Sequence, residues 1–364
     1  MSDAVLRRVR PEQFREVILF AVTIGLLLFF ASQIPGYFEP RSVNRLTLVV
    51  SRLGVYVIVL LLAVLGIFLA PGKFLTSRNL MSVVQAVSLL GITSVGMSFV
   101  VFSANFSDMS VPMTIAFSGM ISVTCIGMGF WPSLILGTLA GTVLGVVNGL
   151  VIGKLRAHPV IWTMAFNFVI SGIVRWLYGG NQIYPDVIAG DTPAVEAFFA
   201  LSRSNFLGVP IMVLVMAAMF IIGQYVLTRT AFGNQLKVVG SNYEAARLSG
   251  INIVKVIVVV FLISSFCASI TGLFLASISK TGAYYNGEGY DFRAMTAVLL
   301  GGMTLAGGKG DLIGTFGGVL TMGLLSNIMN LVGVSTFEQY LVLGLMFLVI
   351  VWINTTSMRK LGRS

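Results

Sequence analysis

The side chains that could do acid–base, nucleophilic or metal chemistry are few here, and their spacing does not suit it. The 364-residue chain holds one histidine, two cysteines and 13 acidic residues. His158 stands beside Pro159 at the foot of an apolar run, and Cys125 and Cys267 each lie inside one. Neither cysteine has a partner at metal-ligand spacing, so both read as small core residues. A zinc site and a His-based triad are excluded, and no catalytic residue, metal ligand or cofactor is assigned. The polar group that stands out is Asp108, in Ala104-Asn105-Phe106-Ser107-Asp108-Met109-Ser110-Val111-Pro112, because apolar runs flank it on both sides. An ionisable group in such a setting is expensive and is a candidate for function. Two readings stand: a helix break that lines a path, or a plain loop at a membrane face.

The elements that position these residues follow from composition. Hydrophobic residues make up 57% of the chain and charged residues 10%. No soluble core buries that much apolar surface, so lipid is the solvent. The runs are continuous rather than alternating, which selects helices over a barrel. Candidate spans fall near 17–33, 53–70, 80–104, 112–128, 131–153, 159–178, 209–228, 252–278, 291–307, 311–331 and 336–353. The expected fold is an all-α integral membrane protein with about ten core helices plus one extra N-terminal hydrophobic helix. No small-x-small cleavage site follows the first run, where Gln33-Ile34-Pro35-Gly36 stands, so it reads as an uncleaved segment.

The formal charge of +10 does not point to nucleic acid, because the basic residues form short clusters between apolar runs. Those clusters give orientation. Lys154 and Arg156 place loop 153–158 inside; Arg229, Lys237, Arg247 and Lys255 do the same for loop 229–251, and Arg359, Lys360 and Arg363 for the C-terminus. The stretch 179–208, with Asp186, Asp191 and Glu196 against Arg203, falls outside. If 17–33 spans, Arg7, Arg8, Arg10 and Arg15 lie outside against the rule; an interfacial helix is the alternative, and both remain open.

Two glycine patterns bear on packing. Gly137, Gly141, Gly145, Gly149 and Gly153, four apart, share one helical face and admit a close neighbour, in this chain or a second subunit. The cluster from Gly301 to Gly310 lacks the GK[ST] of a phosphate loop and reads as a helix broken at the membrane. For the intramembrane amides Asn148, Asn167, Gln224, Asn327 and Asn330, an interhelical hydrogen bond is expected. In loop 229–251, Asn242 is placed to cap a short helix Tyr243–Leu248 that Gly250 ends. Such a helix suits docking of a partner protein, or is a structured connector.

The same loop, from Thr230 to Ile251, fits T-x-x-G-x-x-x-x-x-x-G-x-N-x-x-A-A-x-L-S-G-I. It resembles the signature of permeases of ribose/xylose-type sugar ABC importers, a family that includes autoinducer-2 permeases. Three further blocks match in order: Phe106 to Pro112 against G-I-D-L-S-V-G, Gly289 to Ala294 against G-Y-E-L-D-A, and Gly301 to Gly310. The resemblance covers about 53–357. It gives an N-terminal extension over 1–52, a permease domain over 53–357 and a cytoplasmic tail over 358–364. It implies about ten helices, a homodimer or heterodimer with a second permease copy or paralogue, an ATPase subunit with two fused nucleotide-binding domains, and a periplasmic solute-binding protein. Asn242, Glu244, Ala245, Ala246, Arg247 and Gly250 would couple to that ATPase, since this chain has no nucleotide motif. Phe102, Asn105, Phe106, Asp108 and Ser110 are the expected lining of the solute path.

Ser107, Pro112 and Asn105-Phe106 depart from the family pattern, and Arg293 replaces an acid, which leaves the substrate open. The expected activity is inward movement of a sugar-like solute across a bacterial inner membrane by alternating access. A branched-chain amino acid ABC permease is the sister reading. An ion-coupled transporter would need intramembrane acids, for which Asp108 is nearly the sole candidate. A membrane enzyme lacks its nucleophile–base pair.

Overall fold

The computed structural model describes residues 45–361, with side chains from Gly54 to Trp352. The segment near 17–33 and residues 362–364 lie outside the described residues. The chain order is α1 (Arg45–Leu69), α2 (Ser77–Phe102), α3 (Val111–Thr124) with a 3-10 turn Cys125–Met128, α4 (Phe130–Leu155) and α5 (Pro159–Leu177). Two short helices, α6 (Pro185–Ala189) and α7 (Pro193–Leu201), and a two-residue hairpin, β1 (Asn205–Phe206) with β2 (Val209–Pro210), precede α8 (Ile211–Arg229). Then come α9 (Ala231–Ser241), α10 (Tyr243–Leu248), α11 (Ile253–Ser279), α12 (Tyr290–Leu300), α13 (Leu312–Val332) and α14 (Thr336–Leu361).

Among the described residues, seven helices are long and apolar enough to cross a membrane: α2, α3 with its 3-10 turn, α4, α5, α8, α11 and α13. Gly54–Leu69 and Thr336–Trp352 are shorter apolar stretches. The chain is an all-α membrane protein. The span expected near 291–307 is instead the 11-residue helix α12, followed by irregular backbone from Gly301 to Asp311. Eleven residues rise about 16 Å, half of a hydrocarbon core. Glycines cause the change. Gly301 abuts the Gly314 backbone, where a Cβ would lie 2.5 Å from the Gly314 carbonyl carbon, and Gly318 sits against the Ala297 carbonyl. The chain therefore turns back at Gly301 and runs antiparallel along α13.

Small residues, more than apolar ones, decide which helices are interior. In lipid, apolarity does not distinguish inside from outside, whereas Gly and Ser permit backbone approach. α2 carries Ser88, Gly91, Thr93, Ser94, Gly96 and Ser98, all buried. α5 and α8 carry large residues that face outward, such as Trp176 and Ile221. At the centre is α11, reached by its neighbours through glycine. All five glycines of α4 are involved. A Cβ at Gly149 would lie 2.5 Å from Val258 Cα, at Gly153 3.3 Å from Val254 Cα, and at Gly145 2.5 Å from Ser265 Oγ. Gly141 faces Ser269, and Gly137 faces Leu273 and the Ser118–Ser122 face of α3. Gly96 of α2 meets Ser264 Cα, and Gly272 of α11 meets the Ile115 carbonyl of α3. Ser118 Oγ lies 2.8 Å from Gly137 O and 3.1 Å from Ser269 O, sharing one hydroxyl proton among three helices.

A leucine at Gly145 or Gly149 would drive α4 off α11, at a cost of roughly 1–3 kcal/mol or more. Gly145→Leu and Gly149→Leu are expected to lower the thermal midpoint of purified protein by several degrees. Gly172→Leu, on an exposed face with nothing within 4 Å of its Cβ position, should leave the midpoint unchanged. Equal midpoints for all three would remove the packing role of the stripe.

Candidate functional site

Between α2 and α3 the chain is non-helical from Ser103 to Ser110, yet that stretch is mostly buried. Ala104 and Phe106 adopt the left-handed region, with φ of 62° and 64°. Each costs about 1–2 kcal/mol for a residue with a Cβ. Such outliers persist only where surroundings over-determine them. Here the surroundings are polar and come from three helices. Asp108 Oδ1 accepts from Ser110 N at 3.0 Å and Ser110 Oγ at 2.6 Å, and Oδ2 accepts from Ser264 Oγ of α11 at 2.9 Å. Asn148 of α4 donates to Ser110 Oγ at 2.7 Å and accepts from Trp162 Nε1 of α5 at 3.0 Å.

α3 and the residue before its Ser110 cap begin inside the bundle, so their free N–H groups need partners from elsewhere. α5 supplies two. Met109 N donates to Thr163 Oγ1 at 3.0 Å, and Met113 N donates to Asn167 Oδ1 at 3.3 Å. The other amides singled out in the sequence also bond between helices or to a neighbouring helix start. Gln224 accepts from Leu312 N, Asn327 pairs with Asn79, and Asn330 accepts from Gln339.

The structure brings the five path candidates together at this break. Phe102, Asn105, Asp108 and Ser110 are buried, Asp108 completely, and Phe106 is half-buried. Sequence reasoning missed Ser264, Thr163 and Trp162. A serine or threonine in an apolar helix commonly bonds its own preceding turn, so these carried no signal of their own.

At the C-terminal end of α2 three backbone segments meet. Gly308 N donates to Phe102 O at 2.8 Å. Gly240, near the end of α9, packs directly on the Phe102 carbonyl, where a Cβ would also lie 2.8 Å from Gly308 N. A Cβ at Gly307 would lie 2.7 Å from Ala104 Cβ and 2.8 Å from Gly240 O. Only glycine fits at these places. Gly307 and Gly308 also need positive φ, 76° and 66°.

Beyond Ser241 comes α10, capped by Asn242, whose Oδ1 accepts from Ala245 N at 3.0 Å. Gly250, with φ of 73°, turns the chain into α11 and has nothing within 4 Å of its Cβ position. Ala246 anchors α10 from its buried side; Glu244, Ala245 and Arg247 are exposed. The Glu244–Arg247 pair, 4.0 Å apart with both side chains mostly in solvent, contributes little. Leu248 is 87% exposed, an apolar tip that sequence reasoning also missed. Among the described residues, no three His, Cys, Asp or Glu are grouped to hold a metal.

Known proteins resemble this chain over most of its length. Residues 79–351 match the family model described as branched-chain amino acid transport system / permease component. The chain belongs to this permease family. It is 32% identical over 315 residues to the L-arabinose transport system permease protein AraH of Escherichia coli (strain K12), covering 86% of this chain and 93% of that relative. It is 33% identical over 304 residues to the ribose import permease protein RbsC of Bacillus subtilis (strain 168), covering 83% and 91%. The L-arabinose ABC transporter permease protein AraH of Azospirillum brasilense is 32% identical over 299 residues, 81% of this chain and 85% of that protein. A member of this family is a membrane component without enzymatic activity of its own.

Removing the Asp108 carboxyl group would leave Ser110 N–H and two hydroxyls without their acceptor. Asp108→Ala is expected to destabilise the permease by roughly 1–3 kcal/mol, and Ser264→Ala by about 1 kcal/mol. Asp108→Asn, which keeps an acceptor for Ser110, should fall between Asp108→Ala and wild type. Thermal denaturation in detergent micelles orders the three; an Asp108→Ala protein as stable as wild type would show that the network holds nothing together.

Proposed function

We propose that this chain is the permease subunit of an ATP-driven ABC importer that moves a sugar or sugar-like solute inward by alternating access. Family membership and relatives named for arabinose and ribose, matched over more than four-fifths of the chain, support this reading. The family description names branched-chain amino acids, but those sugar permeases, at about a third identity, favour the sugar. The finer assignments belong to the same proposal. They are ten core helices plus an N-terminal one, with domain limits at 1–52, 53–357 and 358–364. A second permease copy or paralogue, an ATPase subunit with fused nucleotide-binding domains, a periplasmic solute-binding protein and the bacterial inner membrane complete them.

One observation carries the mechanism: exposed helix α10 is mounted on α9, whose Gly240 backbone rests on the carbonyl at the end of α2. A push on α10 therefore reaches the break at Ser103–Ser110 through backbone, with no flexible side chain between. The break has two anchors. Its α2 side is bonded to Gly308 beside Gly240, and its α3 side is bonded to α11, α4 and α5. Between the anchors lie Ala104 and Phe106, whose strained left-handed geometry suits a hinge. ATP-driven motion of α9 and α10 would swing the α2 end about that hinge. Phe102, Asn105, Phe106, Asp108 and Ser110 would then be uncovered toward the path.

If α10 docks on the ATPase, its exposed face is the grip. Leu248→Asp, Glu244→Arg and Gly250→Arg are expected to cut ATP-dependent solute uptake about tenfold or more in the complete transporter. Stability of the isolated permease should hold for the first two and fall by about 1 kcal/mol for the third, whose φ is positive. Unaltered solute-stimulated ATP hydrolysis in all three would rule out the docking role.

A further inference from the structure

A second candidate site, mostly apolar with one cation in its lining, lies apart from the break. A cavity of about 220 Å³ opens between α12 and α14. Its lining includes Phe292, Arg293 and Thr296 from one helix and Tyr340 and Phe347 from the other. The spacing puts each set on one helical face. α12 starts within the bundle, because Gly287 just before it packs on the Pro112 backbone at the start of α3. The cavity therefore adjoins the same layer as the break.

Arg293 is the anomaly. Its Nε is buried with no hydrogen-bond partner, and its guanidinium group forms no ion pair among the described residues. The nearby acids do not neutralise it. Asp291, two residues earlier and so on the opposite side of α12, is buried toward the interior, and Glu288 is exposed before the helix begins. Arg293 as a whole is only partly buried, and a cation held beside apolar surface with no counter-charge next to it can take an anion from outside. The rest of the cavity limits what brings that charge. Phe292 and Tyr340, both in its lining, are 49% and 48% exposed. Phe347 stands edge-on to Phe292 with ring centroids 5.7 Å apart. Thr296 Oγ1 donates to Phe292 O at 2.6 Å and keeps its lone pairs. Aromatic faces take the apolar side of a sugar ring, hydroxyls take its edge, and a guanidinium fork takes an oxyanion with two parallel bonds.

We infer that the cavity between α12 and α14 is a solute subsite for a polyhydroxylated molecule bearing an oxyanion, held by Arg293 against the rings of Phe292 and Tyr340. This rests on the permease reading and narrows its substrate class: a sugar acid or sugar phosphate in place of a neutral sugar. The position agrees with the departure seen in the sequence, where Arg293 stands in place of an acid.

The test is direct binding to the purified full-length permease in phosphatidylcholine nanodiscs, by saturation-transfer NMR at millimolar ligand. D-Galactose, D-galacturonate and D-galactose 6-phosphate are the probes, since they differ in the group at one carbon. The oxyanion-bearing probes should bind about tenfold or more tightly than galactose; whichever of the two binds better identifies the anion as carboxylate or phosphate. Arg293→Gln should abolish that preference and Arg293→Lys should retain part of it. Equal binding of the three probes, no binding of any, or a preference unchanged in Arg293→Gln overturns the inference. If Arg293→Gln does not fold, the wild-type comparison and Arg293→Lys still decide. No ATPase is needed, so failure here leaves the permease reading standing, whereas loss of ATP-driven uptake for every solute would strike that reading alone.

Discussion

In a bilayer, a peptide N–H or C=O with no partner costs several kcal/mol, so a chain can leave the helix there only where protein surrounds it. Two irregular stretches of this bundle, Ser103–Ser110 and Gly301–Asp311, meet that condition in different ways. The first is enclosed by side chains: Thr163 and Asn167 from α5, Ser264 from α11 and Asn148 from α4. The second is enclosed by backbone, with glycines pressed on the Phe102 carbonyl, the α9 end and the α13 start. Both need close helix approach. That approach comes from the glycine face of α4 lying on α11, because any Cβ at Gly145 or Gly149 would hold the two backbones apart and pull Asn148 away from Ser110.

The same constraint joins structure to function. In the proposed mechanism, glycine contacts between backbones transmit displacement without rotamer slack, so α10 and the C-terminal end of α2 would move as one body. The hydrogen bonds at Asp108 make the start of α3 a second body with α4, α5 and α11. The residues between, Ala104 and Phe106, have positive φ, and relief of that strain would favour movement of one body against the other. A permease needs a barrier that opens on command and otherwise leaks nothing. In the proposed mechanism, a mostly buried break hydrogen-bonded through Asp108, beside a stiff lever, would meet both demands.

Much of this was legible in the residues and some was not. The spacing of Gly137 to Gly153 announced one close-packed face, and Asn242 with Gly250 marked α10, because glycine spacing and caps are local signals. Asp108 declared itself as a carboxyl group between apolar runs. Which helix faced the glycines was not legible, since that depends on distant chain. Neither were the partners of Asp108, for Ser264 looks like any hydroxyl in a helix. The stretch 291–307 read as a span because hydropathy averages over windows. The turn at Gly301 depends on Gly314 and Gly318 coming to meet it. Leu248 and Arg293 became conspicuous once burial and pairing were known.

The account's central claim is that the C-terminal end of α2 travels with α10 and hinges against α4. Pulsed dipolar spectroscopy between nitroxides in the assembled transporter tests it most directly, with label pairs at Ala104 and Arg247 and at Ala104 and Leu155, with and without ATP. The account predicts a constant first distance and a second that shifts on ATP binding. A first distance that changes while the second stays fixed would contradict it.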